Sequence, residues 1–533
     1  MADTLRDDDG VSNPSFNQHL TQLVDDAIAR QPSRRALLKT GLGLAAIPFL
    51  GGLAACGGGD DAAPVSPAPG SAAERMLGFQ AIPTSLDDTV VVPAGYVATA
   101  FLPWGTPLTS GAPGFAADAS NTADDQEKQV GDNHDGMAFF AFNAAGDGFG
   151  SSSTEGLLVF NHEYINPEYF YKPDTDPNDW RQPFTLEKAR KGQAAHGASV
   201  AHVRRNSAGD WTLVANSPYN RRIHGNTPMT LQGPAAGLPQ MQTAADPGGT
   251  QVLGMLNNCG NGRTPWGTFL TCEENFNGYF GANGAFTPTN EENRYGLNAG
   301  GFGYLWHTVD PRFDMNANRN EPNRFGWIVE IDPFSPSSQP VKRTAMGRFK
   351  HENAELVVAS DGKVVVYMGC DERNEYAYKF VSSGTFDAAD PTSAANRNLL
   401  ADGTLYVARF DAGATVGDNM GTGVWIPLVF GQNDLTPANG FANQGEVMIK
   451  ARQASDRLGA TMMDRPEWVA ANPKKPGEVF MTCTNNSRRG TTDDAGKPRT
   501  NAGGDVMAVN APNPRETNEY GQILRWRPEG GDH

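Results

Sequence analysis

Short apolar runs in this chain stop again and again at a small group of carboxylates and carboxamides, the side chains that bind hard cations. Leu158-Val159-Phe160 leads into Asn161-His162-Glu163-Tyr164, and Phe269-Leu270-Thr271-Cys272 into Glu273-Glu274-Asn275. Val365 to Cys370 leads into Asp371-Glu372-Arg373, and Val479 to Thr482 into Cys483-Thr484-Asn485-Asn486. One acidic residue at a strand end is commonly a turn former or a solvated rim charge. Repetition of the pattern favours convergence, and converging carboxylates repel one another unless they are protonated or bridged by cations such as Ca²⁺, Mg²⁺ or ferric iron. Two further stretches fit the same chemistry: Gly347 to Asn353, with His351 and Glu352, and Met463-Asp464-Arg465-Pro466-Glu467-Trp468. If the second is extended, alternation aims Arg465 and Glu467 to one side, as a plain ion pair or as a site for an oxyanion and its metal. Cys259 lies among Gly and Asn in Leu256 to Thr268, where backbone can approach a ligand closely. A buried apolar cysteine, a thiolate ligand and a nucleophile all remain open for it. Cys272, Cys370 and Cys483 fit small buried residues, and no cysteine stands in a zinc-type pair.

The elements that must carry these groups are strands. Runs of four to seven residues rich in Val, Phe, Tyr and Trp recur at Thr89 to Val92, Gly156 to Phe160, Thr268 to Thr271 and Trp327 to Ile331. Others lie at Lys363 to Met368, Thr404 to Phe410, Glu478 to Met481 and Gln522 to Trp526. Helical patterns are few, at Leu186 to Ala195 and Gly445 to Leu458. No dinucleotide or phosphate-loop glycine motif appears, which argues against a parallel α/β sheet. Glycine (61) and proline (37) make about 18% of the 533 residues, against about 12% in average usage, so loops are abundant. With 39% hydrophobic residues a packed core is affordable. The prediction is an all-β protein, and short strands spread evenly with no second linker favour a β-propeller. Its long loop insertions are expected at 102–136 and 281–324. The net charge of −17 argues against a general nucleic-acid binder, since phosphate would be repelled, and no nucleic-acid binding is expected.

Residues 33–56 place Arg34 and Arg35, then Lys39, before an uncharged run too short and Gly-rich for a stable membrane span. The segment resembles a twin-arginine export signal, covering 1–56, and its end, Leu53-Ala54-Ala55-Cys56, resembles a lipoprotein cleavage box. Either Cys56 carries a lipid anchor or ordinary cleavage occurs nearby. Residues 57–80 have the composition of a flexible tether, leaving 81–533 as the body. The expected location is the periplasm or cell surface.

Taken together, GDNHDGMAFF (131–140), NHEY (161–164), NNCGNGRTPWGTFLTCEENFNGYF (257–280), GRFKHE (347–352), DERNEYAYKF (371–380), MDRPEW (463–468), TNNSRRG (484–490) and NPRETNEYGQILRW (513–526) resemble the PhoX family of exported alkaline phosphatases. The resemblance implies a six-bladed propeller with an iron and calcium cluster at the channel mouth, hydrolysing small-molecule phosphate monoesters. It implies that Cys259 binds iron, that Glu352, Asp371 and Glu467 are metal carboxylates, and that Asn275 and Arg465 contact phosphate. Glu163, Glu273, Glu274 and Glu372 are added on physical grounds as neighbouring carboxylates. No histidine general base is then needed, and His162 and His351 are expected to be supporting residues. The chain departs from the family at Cys370, where an acidic residue is expected, and upstream of Cys259, where a stretch beginning at Gln251 holds no lysine. Other functions compatible with the scaffold are a calcium-dependent phosphodiesterase or lactonase, or a non-catalytic binding platform. The protein is expected to be a monomer.

Overall fold

The computed structural model describes residues 79–172, 179–415, 417–501 and 504–533. The export signal, Cys56 and most of the tether lie outside the described residues. The chain divides into two compact units, Met1–Phe101 and Leu102–His533. In the first, residues 79–101 form bends and turns only, so the strand expected at Thr89 to Val92 is not there. Its short apolar run has no partner strand among the described residues to complete a ladder.

The second unit is built from antiparallel sheets whose strands follow the apolar runs. His134–Ala141 (β1), Glu155–His162 (β2), Gly197–Arg205 (β3) and Trp211–Leu213 (β4) lie side by side in that order, and Arg221–Ile223 (β5) also pairs with β3. Pro228–Gln232 (β6), Gln251–Leu253 (β7), Asn258–Arg263 (β8), Phe269–Glu273 (β9), Ile328–Ile331 (β10) and Val341–Arg343 (β11) form a sheet ordered β8-β9-β10-β11-β6-β7. The join between β11 and β6 is parallel. Next come Glu355–Val358 (β12), Lys363–Gly369 (β13), Arg373–Glu375 (β14), Ala377–Thr385 (β15), Gly403–Ala412 (β16) and Gly421–Pro427 (β17). All but β14 make a sheet ordered β12-β13-β15-β16-β17. Met463–Asp464 (β18) pairs with β14 alone, and Pro466–Ala471 (β19), Val479–Cys483 (β20) and Gln522–Trp526 (β21) close the series.

These sheets are the blades of a β-propeller. The strand leading each of them, β1, β8, β12 and β19, packs against its counterparts: β8 against β1 and β12, and β12 against β19. The approach is close enough that side chains are excluded. A Cβ at Gly260 would lie 2.2 Å from the Glu352 carbonyl oxygen and 2.6 Å from the Trp468 ring, and one at Gly262 would lie 2.0 Å from the Ala354 carbonyl oxygen. Four sheets of three or more strands and one two-stranded ladder form among the described residues, against the six blades that the resemblance implies. The expected insertion at 281–324 folds into short helical turns between β9 and β10, whereas 102–136 already contains the start of β1. Leu186–Ala195 is a helix (α1), capped by the Thr185 hydroxyl accepting from the Lys188 amide. The pattern from Gly445 to Leu458 breaks at Lys450 into Gln444–Ile449 (α2) and Ala451–Arg457 (α3). Trp266, Trp306 and Trp327 lie fully buried in the main core cluster between blades. Among the described residues no helix is long and apolar enough to cross a membrane.

Candidate metal centre

Strand register brings the chemistry to one place. The start of β1 faces the end of β2 through His134 opposite His162, and the start of β8 faces the end of β9 through Asn258 opposite Glu273. His351 bridges Cys370 just before β12 and after β13, and Pro466 at the start of β19 faces Cys483 at the end of β20. In an antiparallel pair the beginning of one strand and the end of the next share an edge. Residues that open inner strands (Asp135, Cys259, Glu467), or approach one (Glu352), therefore meet residues that follow second strands (Glu163, Glu274, Asp371).

Cys259 is the hinge of the group. Its Sγ lies 3.2 Å from Glu352 Oε1 and 3.6 Å from Asp135 Oδ2. Donor atoms of Asp135, Glu163 and Cys259 all lie within 4.8 Å of one another, and so do those of Cys259, Glu274 and Glu352. Asp135 is a donor that the pattern of strand ends did not reveal. Electrostatics agree with the geometry. Burial, then Asp135 and Asp371, pushes the Glu163 carboxyl up to about 8. Burial and Asp371 push Glu467 up to about 7, against the opposing pull of the Thr484 hydroxyl and Arg465. Glu274 and Glu352 are raised well above the carboxylate range by burial and by their acidic neighbours, Asp371 first. The Cys259 thiol is raised by burial, Glu352 and Glu274. These groups cannot all carry charge together unless cations sit among them. Oxygen donors with one thiolate suit hard cations beside an iron-type ion.

Arg465 grips Asp371 with two parallel hydrogen bonds, Nε to Oδ1 at 2.9 Å and Nη2 to Oδ2 at 2.8 Å, and Nη2 stands 3.4 Å from Glu467 Oε1. Arg465 and Glu467 do share a side, but not by extended alternation: Arg465 has φ +57°. Asn275 donates from its side-chain amide to Glu274 Oε1 at 2.6 Å, while its backbone N–H donates to Asn257 Oδ1 at 2.7 Å. Lys350 sets its ammonium 3.3 Å from Glu372 and lowers the Glu274 carboxyl against its acidic neighbours.

Two proposed ligands are drawn elsewhere. Glu273 is fully buried, 2.8 Å from Lys342 Nζ, and accepts from the backbone amides of Leu256, Gly326 and Trp327. It points to the core because adjacent residues leaving a strand face opposite ways. Glu372 pairs with Lys350 and with Arg452 at 2.6 Å. Burial raises its carboxyl, but Lys350 and Arg452 outweigh this and hold it below the carboxylate range. His162 bonds Ser199 Oγ at 2.8 Å and His351 bonds the Gly347 carbonyl at 2.9 Å, both buried as structural groups. Cys272, Cys370 and Cys483 are buried and free, and Cys370 Sγ lies 3.8 Å from Glu375 inside an Arg294, Arg452 and Glu375 cluster.

Residues 77–533 match the profile of the family described as alkaline phosphatase PhoX. A solved structure of Pseudomonas fluorescens PhoX in complex with vanadate, a transition state analogue, is similar, with 47% sequence identity and a TM-score of 0.77. The match covers 85% of this chain and 74% of that one. No curated protein sequence matches.

Proposed function

Because the chain belongs to the PhoX alkaline phosphatase family and is a phosphoric monoester hydrolase, we propose that it cleaves small phosphate monoesters outside the cytoplasm at a cluster of iron and calcium. The observation that carries this reading is the set of donors around Cys259 beside the Arg465–Asp371 pair. Asp135, Glu163, Cys259, Glu274 and Glu352 would hold the metals, with Asp371 and Glu467 at their edge. Bound ions supply Lewis acidity at phosphoryl oxygens and lower the pKa of water, so that hydrolysis needs no histidine base.

The chain's own part is binding and charge placement. The Arg465 guanidinium neutralises phosphoryl charge, and its plane is fixed by Asp371 along one edge. The Asn275 amide, steered by Glu274 and Asn257, orients an oxygen of the ester. Phosphate contacts held in advance in this way lower the entropy lost on reaching in-line geometry.

The test is elemental analysis of protein purified without chelators, together with a chromogenic phosphomonoester assay with and without added calcium. Stoichiometric iron and calcium-dependent turnover are expected; active protein lacking iron would overturn the cluster. Export by the twin-arginine route, with Cys56 as a lipid site, is part of the proposal and rests on residues 33–56. Arg34→Lys with Arg35→Lys should retain the protein in the cytoplasm, and unchanged export would refute that route.

A further inference from the structure

Stretches 484–490 and 513–526 are rich in asparagine and arginine. Four of these residues, Asn486, Arg489, Asn513 and Asn518, converge on Asp464. This residue is fully buried, and each oxygen is engaged. Oδ1 accepts from Arg489 Nε and from Asn486 Nδ2 at 2.9 Å, while Oδ2 accepts from Asn518 Nδ2 at 2.8 Å. The Asp464 backbone N–H donates to Asn513 Oδ1 at 3.1 Å. Arg489 continues to the carbonyls of Ala508 at 2.8 Å and Met462 at 3.0 Å. Asn486 Nδ2 also reaches Asn374 Oδ1 at 3.0 Å.

The strands beneath this network explain its position. Asp464 ends β18 and faces Arg373, which opens β14. Asp371 stands two residues before β14, and Arg465 one residue after β18. Both halves of the Arg465–Asp371 pair therefore hang from the same end of a two-stranded ladder that is too short to hold itself together. Arg465 is moreover a bulky residue at φ +57° directly before Pro466. That conformation is disfavoured twice, by the side chain and by the following proline, and persists only where its surroundings over-determine it. Asp464 and Arg489 cancel each other's charge, so the network supplies geometry to the mouth and little field.

We propose that Asp464, locked by Arg489, Asn486 and Asn518, is a positioning residue that holds Arg465 in its left-handed conformation and so aims the guanidinium at the phosphoryl group. The inference rests on the phosphatase reading above and deepens it.

A double-mutant cycle tests it, comparing wild type, Asp464→Asn, Arg465→Ala and the double variant with a chromogenic phosphomonoester and with inorganic phosphate as competitor. Loss of one charge-assisted contact predicts that Asp464→Asn raises KM and the phosphate inhibition constant about tenfold, with metal content retained. In the Arg465→Ala background the same substitution should change neither. An equal effect in both backgrounds would mean that Asp464 only supports the fold, and the inference falls. If Asp464→Asn does not fold, Asn518→Ala removes one donor from Oδ2 and is carried through the same cycle, with the same outcomes. Wild type without phosphomonoester turnover would overturn the functional reading and this inference with it; active wild type with an additive cycle would overturn this inference alone.

Discussion

Glu273 and Glu274 are neighbours in sequence with opposite fates, and substitution should separate them. Glu273→Gln leaves the Lys342 ammonium buried without its counter-charge. Breaking a buried pair from one side costs about 3 to 5 kcal/mol, so a large drop in melting temperature is expected while metal content per folded molecule stays constant. Glu274→Gln should do the reverse, lowering metal content and activity at nearly unchanged stability, because it relieves a carboxyl crowded by Asp371, Glu352 and Glu163. Elemental analysis and thermal melts on the two variants decide the assignment. Cys259→Ser should lower bound iron and bleach any visible charge-transfer band; unchanged iron and colour would remove the thiol from the site. The sequence displayed Cys259, Glu163, Glu274 and Glu352 as chemistry and the resemblance singled out Asp371, but residue types alone separate neither Glu273 from Glu274 nor Asp371 from Glu372. That choice depends on which face each residue takes and on Lys342, Lys350 and Arg452, whose approach is set by tertiary packing.

Strands made the site, and their reading from the sequence was only half complete. Apolar runs that stop at polar clusters exposed the ends of β2, β9, β13 and β20, where Glu163, Glu274, Asp371 and Thr484 follow. The other side of the same donor cluster consists of strand beginnings, and a residue such as Asp135, one position into β1, has no preceding run to mark it. Register supplies the missing half, and register is not written in local composition. The glycines of β8 carry that register into three dimensions. Gly260→Ala would drive a methyl group into the Glu352 carbonyl and the Trp468 ring. Overpacking of this kind costs about 1 to 3 kcal/mol, and here the strain falls on the backbone that presents Glu352 to Cys259. The expected result is loss of phosphatase activity and of metal larger than the loss of stability alone would give. Activity and metal content equal to wild type would show that the inner strands separate without disturbing the mouth.

At the scale of the propeller unit, the crowded carboxyls couple folding to pH and, on the function proposed above, to bound cations. Glu163, held at about 8, and Glu467, at about 7, both lie above their ordinary value of 4.5, and Glu274 and Glu352 are raised well above it. With metal removed, these four carboxyls therefore hold more protons in the folded state than in the unfolded chain. Their contribution to stability is full below the unfolded carboxylate range and is lost as pH rises through about 7 and 8. Chelator-treated protein should show a melting temperature that falls from about pH 6.5 to about pH 8, above the range in which buried histidines held below 6.5 oppose the trend. Added calcium should raise the alkaline melting temperatures most and flatten the curve, because an ion that binds only the folded state replaces the protons the carboxylates have lost. A metal-free protein whose melting temperature does not change over that range would mean that the carboxylates are not crowded in solution. On the proposed function, the same linkage favours cation binding at higher pH, where protons no longer compete for these carboxylates.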